Sequence, residues 1–217
     1  MGYLYFKKSF ASDMSLALKT IFDVGRLYLR GANNEVARYI LLLDIALSAN
    51  PKVIVELGTG PGLSSLAFFR CIQYHRSNGR GGVLHSCDMN YSAIDSLRRR
   101  VKFSPLVIAH NLSSDQFAEW WGLSSTRIDL LYIDADHSYE QSLADFEHFA
   151  PFVSPNGLVI MHDTFPMTDA HEQLKFSGTV WQTVQYIKHH YLGEFEIATI
   201  PFLCGVSVLR KKGSKYF

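Results

Sequence analysis

From Lys52 onward, short apolar runs alternate with longer amphipathic segments along the chain. Five of these runs, KVIVEL, GVLHSCD, PLVIAH, IDLLYID and GLVIMHD, are bounded by Gly, Asn or Asp and are predicted to be buried strands. The segments between them carry apolar residues at helical spacing, which predicts helices. Strands that alternate with helices in this way favour a parallel sheet covered on both faces.

The two ends of the chain follow other patterns. Residues 12–49 have helical spacing and stop at Ala-Asn-Pro, which predicts an N-terminal helical cap over residues 1–50 before a globular domain over residues 51–212. Near the C-terminus, EFEIATI and GVSVLRK are too close together for a helical crossover, so we expect an antiparallel pair at one sheet edge. The predicted fold class is therefore α/β, a Rossmann-like doubly wound sheet of five parallel strands plus a C-terminal antiparallel pair.

Composition narrows the classes of partner. The 217 residues are 47% hydrophobic and 19% charged with a formal net charge of +1, which fits a single soluble domain and offers no basic surface for nucleic acid or an anionic membrane. Three scattered cysteines predict no disulfide framework, and the N-terminal stretch has no signal-peptide pattern, so a cytoplasmic location is expected. We expect a small-molecule substrate. The composition is compatible with a homo-oligomer as well as with a monomer.

The strongest local signal is a glycine-rich turn, VIVELGTGPGLSS. Gly58, Gly60 and Gly62 follow a predicted buried strand and open a helix, where bare backbone can approach a ligand. The spacing is GxGxG, because Leu63 stands where a dinucleotide fingerprint has its third glycine. A tight turn without a ligand is the alternative.

A carboxylate ends the next predicted strand. Asp88 is placed to accept hydrogen bonds from the ribose hydroxyls of a nucleoside, as acidic residues do in nucleotide-binding α/β folds. The alternative is that Asp88 caps the helix that starts near Tyr91, a role that Asn90 could fill instead.

These features together resemble the class I S-adenosylmethionine-dependent methyltransferases over residues 50–210. The segment ELGTGPG (56–62) is similar to their motif I, ExGxGxG, and the terminal antiparallel pair matches their seven-stranded sheet. The resemblance implies S-adenosylmethionine as the cofactor, with Glu56 near its ammonium group through water and Asp88 on its ribose. Ser113 or Ser114 would contact adenine, and the alternative role of both is helix capping. The loop residues expected along the methionine moiety are Gly58, Thr59, Gly60 and Gly62.

After the glycine-rich turn, a second group of candidate residues follows the fourth strand in DLLYIDADHSYE. It consists of Asp134, Asp136 and His137 and is named the second cluster. It has no Pro-Pro pair, which disfavours methylation of nucleic-acid bases, and it resembles metal-dependent small-molecule O-methyltransferases such as the catechol and caffeoyl-coenzyme A enzymes. It is still more similar to the branch that contains macrolide-sugar O-methyltransferases and cephalosporin hydroxylase-like proteins. This resemblance implies that Asp134 and His137 are catalytic, with His137 as general base. It also implies that Asp134, His162 and Asp163 bind Mg²⁺ or another divalent metal, and that Asp134 contributes to the cofactor site.

The candidate residues after the fourth and fifth strands also have alternative roles. Asp134 could bond backbone amides at the sheet end, and His137 could merely line the cleft. Asp136 or Ser138 could cap the next helix, with Glu140 or Gln141 completing a capping box. His162 is a poor ligand for Mg²⁺, which prefers oxygen, and a better one for Mn²⁺ or Fe²⁺.

The function predicted from these features is O-methylation of a small hydroxylated metabolite or sugar. Methylation of a protein or RNA, and a non-catalytic nucleoside-binding module on the same fold, are the alternatives. The long loop 164–178 and the N-terminal helices are the predicted walls of the substrate pocket.

Overall fold

Seven strands form the frame of the protein. The computed structural model describes residues 15–20, 23, 33–166, 168, 177–202 and 204–213. The strands are β1 (Val53–Leu57), β2 (Val83–Cys87), β3 (Val107–His110), β4 (Ile128–Ile133), β5 (Val153–His162), β6 (Phe195–Ile200) and β7 (Val206–Lys211). They make one sheet in the order β3-β2-β1-β4-β5-β7-β6. The first five pair in parallel, and β7 lies between β5 and β6, antiparallel to both. This confirms the predicted fold class.

Helices fill the connections between the strands. They are α1 (Asn33–Ala49), α2 (Leu63–Ser77), α3 (Tyr91–Arg100), α4 (Ser114–Gly122), α5 (Tyr139–Phe149) and α6 (Val180–His190), and residues 15–20 are also helical. Because successive strand side chains point to opposite faces, each strand serves two cores. Ile54 packs in the core under α1, α2 and α3, whereas Val55 packs in the core under α4, α5 and α6.

The helix α1 belongs to the main core. Tyr39, Leu42 and Ala46, at helical spacing along one face, are fully buried in the same cluster as residues of α2 and β4. The predicted cap over residues 1–50 therefore contributes a helix that packs directly against the sheet domain. Residues 1–14, 21–22 and 24–32 of that segment lie outside the described residues.

The boundary between α5 and β5 differs from the predicted one. The helical spacing of SYEQSLADFEHFAPFV predicts a helix that runs through Val153. The helix ends instead at Phe149, a short 3₁₀ turn covers Ala150–Phe152, and Val153 begins β5. Pro151 sits in this turn, where its fixed φ and missing N–H suit a helix start better than a helix interior. The strand predicted to start at Gly157 is therefore longer than expected, and its pairing with β4 shifts register between Ile128 and Leu130.

The chain order of the strands reverses at β1. Successive strands β1, β2 and β3 extend the sheet in one direction, and β4 then pairs on the other side of β1. Ligands of open α/β sheets bind outside the carboxyl ends of the strands at such a switch point. Among the described helices, none combines the length and apolar character needed to cross a membrane.

Candidate active site

The carboxyl ends of β1 and β4 are in direct contact. Leu57 pairs with Ile133, and the Asp134 N–H donates to the Leu57 carbonyl at 2.9 Å. The next residue, Gly58, has φ +90°, and a Cβ built there would lie 2.1 Å from the Asp134 carbonyl oxygen. The main chain of Gly58 therefore packs against that of Asp134, which brings the glycine-rich turn beside the second cluster.

The rest of the glycine-rich turn is held by its own hydrogen bonds. The Gly62 N–H donates to the Thr59 carbonyl, and Gly62 is the N-cap residue of α2 in the left-handed region. The Thr59 hydroxyl lies 2.7 Å from that of Ser86 on β2, so the turn is attached to the neighbouring strand. The turn held by these bonds forms part of the wall of a cavity, through Gly58, Thr59, Gly60 and Pro61.

Glu56 lies beneath the turn with none of its surface exposed. Its carboxylate accepts hydrogen bonds from the hydroxyls of Ser64, Ser65 and Ser86. Burial raises the pKa of Glu56 to about 7 and outweighs the three hydroxyl hydrogen bonds, which act in the opposite direction. In this arrangement Glu56 supports the turn from below, and its predicted position beside the cofactor ammonium group stays a prediction.

Asp88 follows β2 at the edge of the same turn. One carboxylate oxygen accepts the Gly60 N–H at 2.9 Å, and the other accepts the Asn90 N–H at 2.8 Å. Asn90, and not Asp88, caps α3, since its side chain accepts the Ser92 N–H. Asp88 is thus free of the capping role and links the glycine turn to the second strand.

A first cavity of about 270 Å³ opens beside Asp88. Met89 and Leu112 line it together with Ser113 and Ser114. Ser113 caps α4 and forms a capping box with Gln116, whereas the Ser114 hydroxyl accepts a hydrogen bond from Gln141. The structure therefore shows the capping alternative for Ser113 and places both serines on the cavity wall, where their contact with adenine stays a prediction.

A second cavity of about 300 Å³ lies on the other side of Gly58 and Ala135, which line both. Its wall includes the glycine-rich turn together with Asp134, His137 and Asp163. Parallel pairing of β4 with β5 explains this grouping, because Ile133 pairs with Met161 and the residues after both strands emerge at one edge. The two cavities meet at the switch point of the sheet.

His162, the last residue of β5, lies between two carboxylates at this edge of the sheet. Its Nδ1 is 3.1 Å from an Asp163 oxygen and 3.5 Å from an Asp134 oxygen, and both its ring nitrogens are buried without a well-oriented hydrogen bond. Burial disfavours the charged ring, but the two carboxylates outweigh it and raise the pKa of His162 to about 10. At neutral pH this histidine is therefore protonated.

Asp134 keeps its charge although it is largely buried. Burial acts to raise its pKa, but the His162 cation, the Arg38 guanidinium and a hydrogen bond from the Tyr132 hydroxyl at 2.9 Å together lower it. The partners of the Asp134 carboxylate are thus the side chains of Tyr132, Arg38 and His162. Neither Tyr132 nor Arg38 was a predicted site residue.

Asp163 adopts an unusual backbone conformation. Its φ is +59°, a region that few residues other than glycine occupy and that asparagine and aspartate tolerate best. Its side chain is 8% exposed, and one oxygen lies 3.3 Å from His137 Nε2. Backbone strain of this kind concentrates at functional sites, and here it brings His137 and His162 onto one carboxylate.

The turn after β4 separates catalytic candidates from helix-capping residues. Ser138 is the N-cap of α5, since its hydroxyl accepts the Gln141 N–H, and Asp136 accepts the Ser138 N–H. The expected capping box is incomplete because the Gln141 side chain turns to Ser114, Asp115 and Asp145. His137 remains on the cavity side with its side chain 30% exposed.

Three ligand-type atoms converge at this edge. One atom each from Asp134, His162 and Asp163 lies within 4.8 Å of the others. Two carboxylate oxygens and one imidazole nitrogen form a donor set suited to Mn²⁺ or Fe²⁺ better than to Mg²⁺, and the buried ring nitrogens of His162 lack well-oriented partners. The residues present therefore fit a divalent transition metal, which on binding would replace the proton that His162 otherwise holds.

Comparison with known proteins identifies the family. Residues 55–164, about half of the chain, match the Methyltransf_24 family model, described as a methyltransferase domain. The chain belongs to this methyltransferase family. The matched span of the chain runs from the first strand, through the glycine-rich turn, to Thr164 beyond the second cluster.

Solved structures show the same fold. An O-methyltransferase from Bacillus cereus in complex with SAH has a TM-score of 0.65 and 15% identity, over 89% of this chain and 91% of that one. The O-methyltransferase TomG from Streptomyces achromogenes, involved in tomaymycin synthesis and bound to SAM, has a TM-score of 0.62 and 17% identity, over 82% and 81%. One curated relative, an uncharacterized protein y4gI of Sinorhizobium fredii, is 28% identical over 130 residues. That alignment spans 52% of this chain and only 13% of the relative.

Proposed function

We propose that this methyltransferase transfers the methyl group of S-adenosylmethionine to a hydroxyl of a small metabolite or sugar. The observation that carries the proposal is the pair of cavities that meet at Gly58 and Ala135. One is bordered by Asp88 and suits an adenosine. The other is lined by the glycine-rich turn and the His137–Asp163 pair, and it suits the methionine end of the cofactor together with the acceptor hydroxyl. The solved relatives in complex with SAM and SAH support the choice of cofactor.

His137 is the proposed general base. Its Nε2 faces the Asp163 carboxylate at 3.3 Å, an arrangement that favours the proton on Nε2 and leaves Nδ1 as the basic nitrogen. In the proposed step, Nδ1 takes the acceptor hydroxyl proton while the oxygen bonds to the sulfonium methyl carbon. The methyl–sulfur bond breaks, and its electron pair returns to sulfur, giving S-adenosylhomocysteine. Asp163 orients the ring and stabilises the imidazolium that forms.

Two carboxylates on the cavity wall also support this chemistry. Asp134 and Asp163 both line the cavity that would receive the sulfonium group, and the Asp134 carboxylate is kept ionised by its neighbours. A cationic sulfonium is attracted to such a wall.

A divalent ion held by Asp134, His162 and Asp163 is a further part of the proposal. When bound, it would lower the pKa of the acceptor hydroxyl and help to orient it. The His162 ring lies between the Asp134 and Asp163 carboxylates, and the Tyr132 hydroxyl donates a hydrogen bond to Asp134, so the three proposed ligands are already grouped.

Two measurements test the proposed function. Isothermal titration with S-adenosylhomocysteine should show binding, and absence of binding would refute the cofactor assignment. Turnover should then be followed as S-adenosylhomocysteine release with a panel of sugars and phenolic and aliphatic alcohols. Methylation confined to amines, proteins or RNA would refute O-methylation of small acceptors even if the cofactor binds.

Two histidine variants test the assignment of His137 as the general base. His137→Gln should lower kcat by about 10²–10⁴-fold while leaving S-adenosylhomocysteine affinity close to that of the wild type, because a general base acts only on the chemical step. His189→Gln is a matched control, since His189 is exposed on α6 far along the chain from the cavity residues. Equal kcat values for the two variants would exclude His137 as the base.

A further inference from the structure

Arg38 brings the N-terminal helix into the active site. It sits on α1 beside Tyr39, which is fully buried, so packing of the helix fixes where the arginine side chain emerges. The Arg38 side chain is 18% exposed, donates to Glu35 at 2.9 Å and approaches Asp134 at 3.5 Å. It lines the second cavity opposite the glycine-rich turn.

The charges around this cavity single out Arg38. Among the described residues that line it, Arg38 is the one arginine or lysine, while Asp134 and Asp163 are acidic. A guanidinium keeps its positive charge at any physiological pH, and Arg38 lies beside the carboxylates of Glu35 and Asp134. A guanidinium has five N–H donors in a planar fork that matches a carboxylate, and its contacts with Glu35 and Asp134 leave donors for a ligand.

The methionine end of the cofactor carries three charged groups: a sulfonium, an α-ammonium and an α-carboxylate. Acidic side chains suit the first two, but the carboxylate needs a cation or strong donors. We propose that Arg38 binds the α-carboxylate of the methionine moiety, an assignment that rests on the proposed use of S-adenosylmethionine. The 3.5 Å separation of Arg38 from Asp134 then matches a zwitterion, because the ligand's opposite charges meet one residue each.

Two other arrangements compete with this assignment. The N-terminus of α2 also lines the cavity through Leu63 and Ser64, and exposed helix N–H groups can bind a carboxylate without Arg38. Alternatively, Arg38 could bind an anionic group of the acceptor. Each alternative predicts a different response of ligand binding to substitution of Arg38.

The test compares two ligands that differ in the amino-acid end. S-adenosylhomocysteine carries the carboxylate, whereas 5′-methylthioadenosine lacks the whole amino-acid group. Arg38→Met should weaken S-adenosylhomocysteine binding by about 10–100-fold and change 5′-methylthioadenosine binding by less than about twofold, since a charge-assisted hydrogen-bond pair is lost only for the first ligand. Arg38→Lys should recover part of the lost affinity.

Controls separate this role from a structural one. Arg99 on α3 is 65% exposed and pairs with Asp95, so Arg99→Met removes an arginine without altering the cavity and should leave both affinities unchanged. Circular dichroism and thermal unfolding establish that each variant is folded. If Arg38→Met does not fold, the decisive measurement is Arg38→Lys with S-adenosylhomocysteine and its decarboxylated analogue. The proposal requires the substitution to weaken only the ligand that has the carboxylate.

Three results would overturn the assignment. Equal losses for S-adenosylhomocysteine and 5′-methylthioadenosine would make Arg38 a structural residue. Unchanged S-adenosylhomocysteine affinity would leave the carboxylate to the N-terminus of α2, and if the acceptor KM rises at the same time, Arg38 serves the acceptor. Failure of the wild-type protein to bind either ligand would instead refute the proposed cofactor, an outcome distinct from all three.

Discussion

The α-carbon of Gly58 rests against the main-chain carbonyl of Asp134, so that a Cβ at position 58 would lie 2.1 Å from that oxygen. This contact joins the turn after β1 to the turn after β4, and both proposed cavities border on it. Gly58→Ala should therefore lower the free energy of unfolding by about 3 kcal/mol, from steric overlap with backbone and from a φ of +90°. Urea denaturation measures the change.

Gly60→Ala is the matched comparison for this stability measurement. A Cβ at position 60 would meet no atom within 4 Å, and only the positive φ of +48° opposes it. The expected loss is about 1 kcal/mol, from backbone conformation alone. Equal losses for the two variants would mean that the contact between Gly58 and Asp134 is not tight in solution.

The buried carboxyl of Glu56 should make stability depend on pH. Its pKa is raised to about 7 from an ordinary value of 4.5, so the folded state holds this proton more tightly than the unfolded state does. The stabilisation is complete below pH 4.5, is lost as the pH rises toward 7, and stays lost above it. The shift corresponds to about 3 kcal/mol over this range.

Glu56→Gln removes the titrating group and retains its size and an acceptor for the serine hydroxyls. The difference in free energy of unfolding between wild type and variant should then change by about 3 kcal/mol in favour of the variant between pH 4.5 and 7.5. Urea unfolding at several pH values gives this difference directly. A difference that is constant with pH would show that Glu56 titrates normally.

Asp88 should contribute to nucleoside affinity. Asp88→Asn preserves the size of the side chain and one acceptor oxygen, but it removes the charge that strengthens hydrogen bonds from the ribose hydroxyls. We expect S-adenosylhomocysteine and 5′-methylthioadenosine to bind about tenfold more weakly, both to the same degree, because they share the ribose. Asp95→Asn on α3 is a control, and a Kd for Asp88→Asn no different from that control would remove the ribose assignment.

Metal dependence can be tested by activity and, without any acceptor, by elemental analysis. If Asp134, His162 and Asp163 hold a divalent ion, dialysis against EDTA should abolish most activity, and Mn²⁺ should restore it better than Mg²⁺ because one donor is an imidazole. Elemental analysis of Asp163→Asn and His162→Phe proteins should show less bound metal than the wild type. Full activity after EDTA treatment, together with no bound metal in the wild type, would exclude the ion.

The order of helices and strands could be predicted from the sequence because it depends on local periodicity. Apolar runs of strand length, amphipathic helices and the short C-terminal connection predict seven strands with one antiparallel pair, and the structure confirms them. The prediction failed where two elements adjoin without a polar break. At Ala150–Val153 the chain passes from helix through a 3₁₀ turn into β5, and helical spacing alone does not show that change.

Parts of the candidate site could also be predicted from the sequence. Residues that directly follow parallel strands must share one sheet edge, so the grouping of Asp134 with His162 and Asp163 follows from the strand assignment. Capping roles were partly predicted, since Asn90 was named as an alternative to Asp88. Most of the loop proposed as a pocket wall, residues 167 and 169–176, lies outside the described residues.

By itself, then, the sequence determined the strand order along the chain, the glycine-rich turn and the polar residues at the strand ends, because these depend on local pattern and on the geometry of parallel pairing. Only the tertiary structure decided that Arg38 reaches Asp134, since that contact depends on how α1 packs against the sheet. It also decided that Asp163 adopts a φ of +59° and that three hydroxyls surround Glu56. Such contacts join residues distant in sequence, and no local periodicity records them.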